Sequence, residues 1–157
     1  MAADHATTAA ASPTRGKPYR SGFAAFVLMQ AEGYHRYARA RLIDPGLSRE
    51  VVEATLWLTE RRWSAVLQRR SPTAYAWRIL RRTVSAACFD ASDPSSDRLH
   101  RALPADHADA VLLHRLGLPL EQAATLMGIE RPQAHADLLM AQRLLQVEAS
   151  EVYGVCQ

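Results

Sequence analysis

Apolar residues recur at steps of three and four along most of the chain, and nowhere do they alternate with a period of two over strand length. A step near 3.6 gathers side chains on one face of a helix, whereas a half-buried strand needs a step of two. The pattern predicts an all-α protein. Phe23, Phe26, Val27, Tyr34, Tyr37, Ala38 and Leu42 mark a first helix, which Asp44-Pro45-Gly46 stops. Ser48 is the expected N-cap of the next, with Glu50 in the first turn where the helix dipole favours an anion. This second helix carries Val51, Val52, Leu56, Trp57, Leu58 and Trp63, more apolar groups than one buried stripe requires. Ser71-Pro72 is a third start signal, a cap followed by proline at the first helical position. Helix is expected from Tyr75 to about Phe89.

Residues 90–102, DASDPSSDRLHRA, are polar and have little to bury, so they read as a linker. Three shorter helical units follow. The first, Asp106 to Leu116, is closed by Gly117 and Pro119, and the second, Leu120 to Met127, by Gly128. The third runs from about Pro132 to Glu148. The expected organisation is a disordered leader over 1–18, a helical domain over 19–89, the linker, a second helical domain over 103–148 and a tail over 149–157.

The chain has 157 residues, room for one average domain or two small ones. Two cysteines, Cys88 and Cys156, make neither a disulfide framework nor a four-ligand zinc site. No apolar run approaches the roughly 18 residues of a membrane span. The Ala-, Thr-, Ser- and Pro-rich start lacks the continuous apolar core of a secretory signal. A cytoplasmic protein with no membrane partner is expected.

The cations are 18 Arg and one Lys, and their distribution matters more than the net charge of +3. Residues 1–100 carry 15 basic and 9 acidic groups, and residues 101–157 carry 4 and 7. Halves of opposite sign suggest modules with different partners. Residues 61–89 hold seven arginines and no acid. Arg78, Arg81, Arg82 and Ser85 fall at steps of three and four, with Tyr75 and Trp77 interleaved. Arginines with aromatics suit a surface that takes phosphates and stacks unpaired bases. A solvated basic face over core aromatics is the competing account.

The last two units have helix-turn-helix spacing. Ala124 falls where two helices would cross, and Gly128 where the turn needs a positive φ. Ile129, Ala134 and Leu138 would face inward, although any helical hairpin shares much of this pattern. Enzymatic signals are weak. Glu32-x-x-His35 is half of a di-iron motif whose other half is missing. There is no Gly-rich phosphate loop, nucleophile elbow or H-E-x-x-H, and the other histidines lack ligand spacing. A non-enzyme without cofactor or metal is expected.

Taken in order, these segments resemble the extracytoplasmic-function sigma factors, the short two-domain initiation subunits of bacterial RNA polymerase. The likeness spans roughly Phe23 to Leu145. Residues 23–63 are similar to the start of the family's second conserved region, with Ser48-Arg49-Glu50-Val51-Val52-Glu53 standing where an Ala-Glu-Asp-Val-Val-Gln type motif opens a helix. SPTAYAWRILRRTVSAACF resembles the Pro-x-Ala-Trp-Leu-Tyr-Arg-Ile-Ala-Arg-Asn helix, and residues 103–145 the fourth region, which opens with Leu-Pro and ends in a helix-turn-helix. No single motif is specific; the ordered set is.

The resemblance implies core polymerase and promoter DNA as partners, with an anti-sigma factor or another regulatory protein as a further one. Glu50, Val51, Glu53 and Trp57 would dock on the polymerase. Gln68, Arg69, Arg70, Tyr75, Trp77, Arg78, Arg81 and Arg82 would engage the melted minus-ten strand. Arg131, Gln133, His135, Asp137 and Arg143 would belong to the minus-thirty-five recognition helix. Gln133-Ala134-His135-Ala136-Asp137 departs from the family's basic Thr-Val-Lys-Ser-Arg run and places Asp137 where a base- or phosphate-facing Arg is usual. That helix is therefore expected to read the major groove poorly. The first reading is a sigma-like initiation factor. The others are a degenerate sigma acting as an interaction module, and an ordinary helix-turn-helix regulator.

Overall fold

The computed structural model describes residues 17–91 and 97–154. Eight helices form there: α1 Lys17–Arg41, α2 Pro45–Arg61, α3 Trp63–Leu67, α4 Pro72–Asp90, α5 Arg98–Ala102, α6 Ala105–Arg115, α7 Leu120–Met127 and α8 Arg131–Gly154. No strand occurs among the described residues, so the all-α expectation holds. Residues 1–16 of the expected leader, 92–96 of the linker and 155–157 of the tail lie outside the described residues.

Two helix starts, those of α2 and α4, are set by side-chain caps. Ser71 caps α4 as expected, its Oγ accepting from the Ala74 N–H at 3.2 Å. The cap of α2 is Asp44 and not Ser48. The Asp44 carboxylate accepts from the N–H groups of Gly46 at 2.7 Å and Leu47 at 3.2 Å, and Pro45 opens the helix. The Asp-Pro-Gly step that ends α1 thus starts α2, because a free carboxylate beside the first turn satisfies orphan donors. Ser48 is buried inside that turn and donates to the Pro45 carbonyl at 2.9 Å.

Aromatics tie the first half together. Trp63 packs against Phe23 and Phe26, with ring centroids 5.3 and 5.2 Å apart, and Trp77 packs against Tyr37 at 4.6 Å. Val51, Val52, Leu80 and Val84 complete this side of the core. Two buried threonines of α2 satisfy their hydroxyls within the helix: Thr55 donates to the Val51 carbonyl and Thr59 to that of Thr55, each at 2.8 Å.

In the second half, Val111, Leu113, Leu126, Met127, Ala134 and Leu138 bury a core among α6, α7 and α8. The α7–α8 turn passes through Gly128 at φ 70°, a left-handed conformation that a side chain disfavours. Ile129 then donates to the Ala124 carbonyl at 3.1 Å, so Ala124 and Gly128 occupy the crossing and the turn as the spacing implies.

The two halves touch directly, α7 against α4 and α6 against α1. At Gly33 a Cβ would lie 2.5 Å from Leu126 Cδ1, and at Gly128 it would lie 2.1 Å from the Ala74 nitrogen. The expected linker is not wholly solvated: α5 forms within it, and Asp97 and His100 tie it to the core. Arg41 pairs with Asp97 at 2.8 Å, and His100 Nε2 lies 2.7 Å from Asp109 Oδ1. Leu99 of the same segment packs against the core, so polar partners and one apolar side chain together hold it.

Candidate nucleic-acid interface

The residues expected to meet partners fall on three surfaces. On α2, Glu50, Glu53 and Trp57 are exposed at steps of three and four, a single outward face. Trp57 is 53% exposed, and the Arg61 guanidinium sits 4.7 Å from its ring centroid. Val51 does not join this face. It is buried in the core, because the helix turns it about 100° away from Glu50.

The second surface begins after α3 and runs along α4. Gln68, Arg69, Arg70, Arg78 and Arg82 are exposed. The Arg69 and Arg78 guanidinium groups lie 5.3 and 5.8 Å from the Tyr75 ring centroid, within cation–π range. The cations beside it, Arg62 first among them, pull the Tyr75 phenol below its ordinary pKa. Tyr75 thus sits among three arginines, Arg62, Arg69 and Arg78.

Trp77 and Arg81 depart from this surface. Trp77 is 1% exposed and donates its indole N–H to Asp109 Oδ2 at 3.1 Å. Arg81 pairs with Asp106 at 2.8 Å and with Asp109 at 3.0 Å. The reason is geometric. The α4 face bearing Trp77 and Arg81 looks toward α6, while Arg78 and Arg82 look to solvent.

Asp109 is the residue sequence reasoning missed. Fully buried, it accepts from Tyr37 Oη at 2.7 Å as well as from Trp77, with Arg81 and His100 alongside. Arg41 extends the network by donating to Tyr37 Oη at 2.9 Å and to Asp97 through two nitrogens. Burial opposes the charge on Arg41, but Tyr37 and Asp97 outweigh it and raise its pKa. Burial, then Asp109, push the Tyr37 phenol well above its ordinary range. Such a buried carboxylate is tolerated only with several donors aimed at it. The available signal was an Asp inside the apolar run Ala108–Leu113 and an Arg at a core position of α1.

The third surface is the start of α8. Arg131, Gln133, His135 and Arg143 are exposed, but Asp137 is not. Asp137 is 5% exposed, accepts from Gln133 Nε2 at 3.0 Å, and lies 3.4 Å from His107 Nδ1. Its place in a base-reading row is therefore corrected: the acid faces α6. Ala136, Leu139 and Met140 share the outward face with His135 and Arg143.

A cleft of about 970 Å³ joins the second and third surfaces. Arg69, Arg70, Arg78 and Arg81 line one side, and Asp106, Glu130 and Gln133 the other. Among the described residues, no cluster of three His, Cys, Asp or Glu side chains could hold a metal, and no helix is long and apolar enough to cross a membrane. Comparison with known proteins finds no matching family model, curated protein or solved structure.

Proposed function

We propose that this chain is a sigma-like transcription initiation factor of the cytoplasm, binding core RNA polymerase through α2 and promoter DNA through the segment from Gln68 to Arg82. The observation that carries this reading is the division of labour between two exposed faces. Glu50, Glu53 and Trp57 form an acidic and aromatic face on α2. A separate arginine-rich face surrounds Tyr75 on α4. A protein that bridges a polymerase and a melted strand needs two such surfaces of different chemistry. Arginine forks suit phosphates, and an aromatic ring suits an unpaired base. The chain does no chemistry in this reading; the polymerase does.

A second reading is favoured by α8. A helix that reads the major groove presents donors and acceptors to base edges. Here Leu139 and Met140 stand 43% and 46% exposed on the outward face, and Asp137 is withdrawn. That composition suits a protein surface better than a groove. An interaction module that keeps the sigma-like frame without minus-thirty-five recognition accounts for it. An ordinary helix-turn-helix regulator is less well supported, because its reading helix would be this same apolar face.

Co-purification with core polymerase tests the proposal. Trp57→Ala and Glu53→Arg remove exposed groups and are expected to leave the fold intact, which circular dichroism checks. Each is expected to weaken the complex severalfold. Undiminished binding by both variants, or no complex with the wild-type chain, would count against it.

A further inference from the structure

We infer that the second helical half neutralises Arg81, on the inner face of α4, with its own acids, so that this arginine is given over to nucleic acid only when the halves part. This inference rests on the reading of α4 as a nucleic-acid-binding helix.

The shield occupies Arg81 as a phosphate would. Asp106 Oδ1 lies 2.8 Å from Nη1 and Asp109 Oδ2 lies 3.0 Å from Nε, the second an ion pair without hydrogen-bond geometry, so two carboxylates neutralise one guanidinium. Asp109 also holds the Trp77 indole, the ring nearest that arginine along α4. The start of α4 is covered too. The Gly128 turn sits on Ala74 so closely that no side chain fits, and Ser71 Oγ donates to the Gly128 carbonyl at 3.0 Å. These contacts come from the half with an acidic surplus and fall on the half with a basic one. Arg69, Arg70 and Arg78 remain open in the cleft beside them, so a strand can engage the outer face first.

The arithmetic follows from population. If only a small open fraction exposes the inner face, the apparent dissociation constant is the intrinsic one divided by that fraction. Loosening the closed arrangement then tightens binding without adding any contact to DNA.

The test is the affinity of the full chain for a fluorescent single-stranded DNA. Asp106 is 68% exposed, so Asp106→Asn should leave the fold intact. It is expected to tighten binding roughly two- to fivefold, the scale of one exposed ion pair. Asp109→Asn keeps the shape of the buried group and is expected to tighten it by roughly tenfold or more. Glu121→Gln removes a different exposed acid, outside the arginine-lined cleft, and controls for net charge. It should leave affinity unchanged. Adding Arg81→Ala should abolish the gain. If Asp109→Asn fails to fold by circular dichroism, Asp106→Asn against Glu121→Gln decides alone. Equal affinity of wild type, Asp106→Asn and Glu121→Gln, with Arg78→Ala weakened, overturns the shield and leaves the α4 reading standing. No binding by any form overturns both.

Discussion

On α4, Arg78 and Arg82 stand in solvent beside the Tyr75 ring, whereas on α8 the charged Asp137 is turned inward and Leu139 and Met140 face out. Both helices are polar enough to be drawn against DNA. What separates them is the neighbour each inner face meets. The inner face of α4 meets Asp109, which collects Trp77 and Arg81 and leaves the outer arginines free. The inner face of α8 meets His107 of α6, which together with Gln133 keeps Asp137 from solvent. The direction of a side chain, more than its charge, decides which helix can present cations to a phosphate chain.

The largest effect is expected at the inner face of α4. Asp109→Leu leaves the Tyr37 and Trp77 donors without their buried acceptor and Arg81 without one of its anions, and should cost about 3–5 kcal/mol, read by urea denaturation. A loss below about 1 kcal/mol would show that Asp109 does not organise the contact between the halves.

The matching test on α8 is Asp137→Arg. If Asp137 faced DNA, the change would strengthen non-specific binding. Since it is buried against Gln133 and His107, the expected outcome is a loss of about 2–3 kcal/mol in stability with no gain in DNA affinity. Unchanged stability with tighter DNA binding would reverse the comparison.

Two tyrosines of α1 sharpen the account of the inner network. Tyr37 donates to Asp109, while the Tyr34 hydroxyl is buried without a hydrogen-bond partner. Tyr37→Phe should cost about 1–2 kcal/mol and Tyr34→Phe nothing or slightly less than nothing, because removing an unsatisfied hydroxyl removes its desolvation penalty. The phenols also set an alkaline limit. Both pKa values are raised in the folded protein, Tyr37 by burial and then Asp109, Tyr34 by burial. Their neutral forms are therefore favoured on folding. That stability is fully present below the ordinary phenol pKa of about 10 and is lost as pH rises through the folded values. Each Phe variant should show a shallower decline above pH ~10 than the wild type. An equally steep decline would remove the phenols from the account.

The smallest effect lies on the outer face of α4. If the chain neutralises about four to six phosphates, log K falls with log salt at a slope near −3 to −4 for single strands. Arg78→Ala with Arg82→Ala should flatten that slope by roughly 1–2 while stability stays within about 0.5 kcal/mol. An unchanged slope would return these arginines to a merely solvated face.

Helix class and most helix limits were legible because each rests on neighbouring residues. Ser71-Pro72 starts α4 and Gly128 ends α7 through bonds that span three to five positions. Asp44 was misread because Asp-Pro-Gly looks like a stop, and the same three residues also supply a cap and a first helical proline. The inner network was not legible because its partners lie far apart in the chain. Tyr37 and Asp109 are 72 positions apart, and Arg41 and Asp97 are 56. Asp137 was misplaced for a similar reason: its orientation depends on His107, from another helix. Trp57 and the exposed arginines were easier to place because an outward face needs no partner within the fold.

Transcription from genomic DNA fragments by core polymerase mixed with this chain tests the central claim most directly. The expected result is a small set of discrete start sites that require the chain, weaken with Trp57→Ala and weaken again with Arg78→Ala. Failure of the folded wild-type chain to bind core polymerase and to produce any start site would contradict the claim.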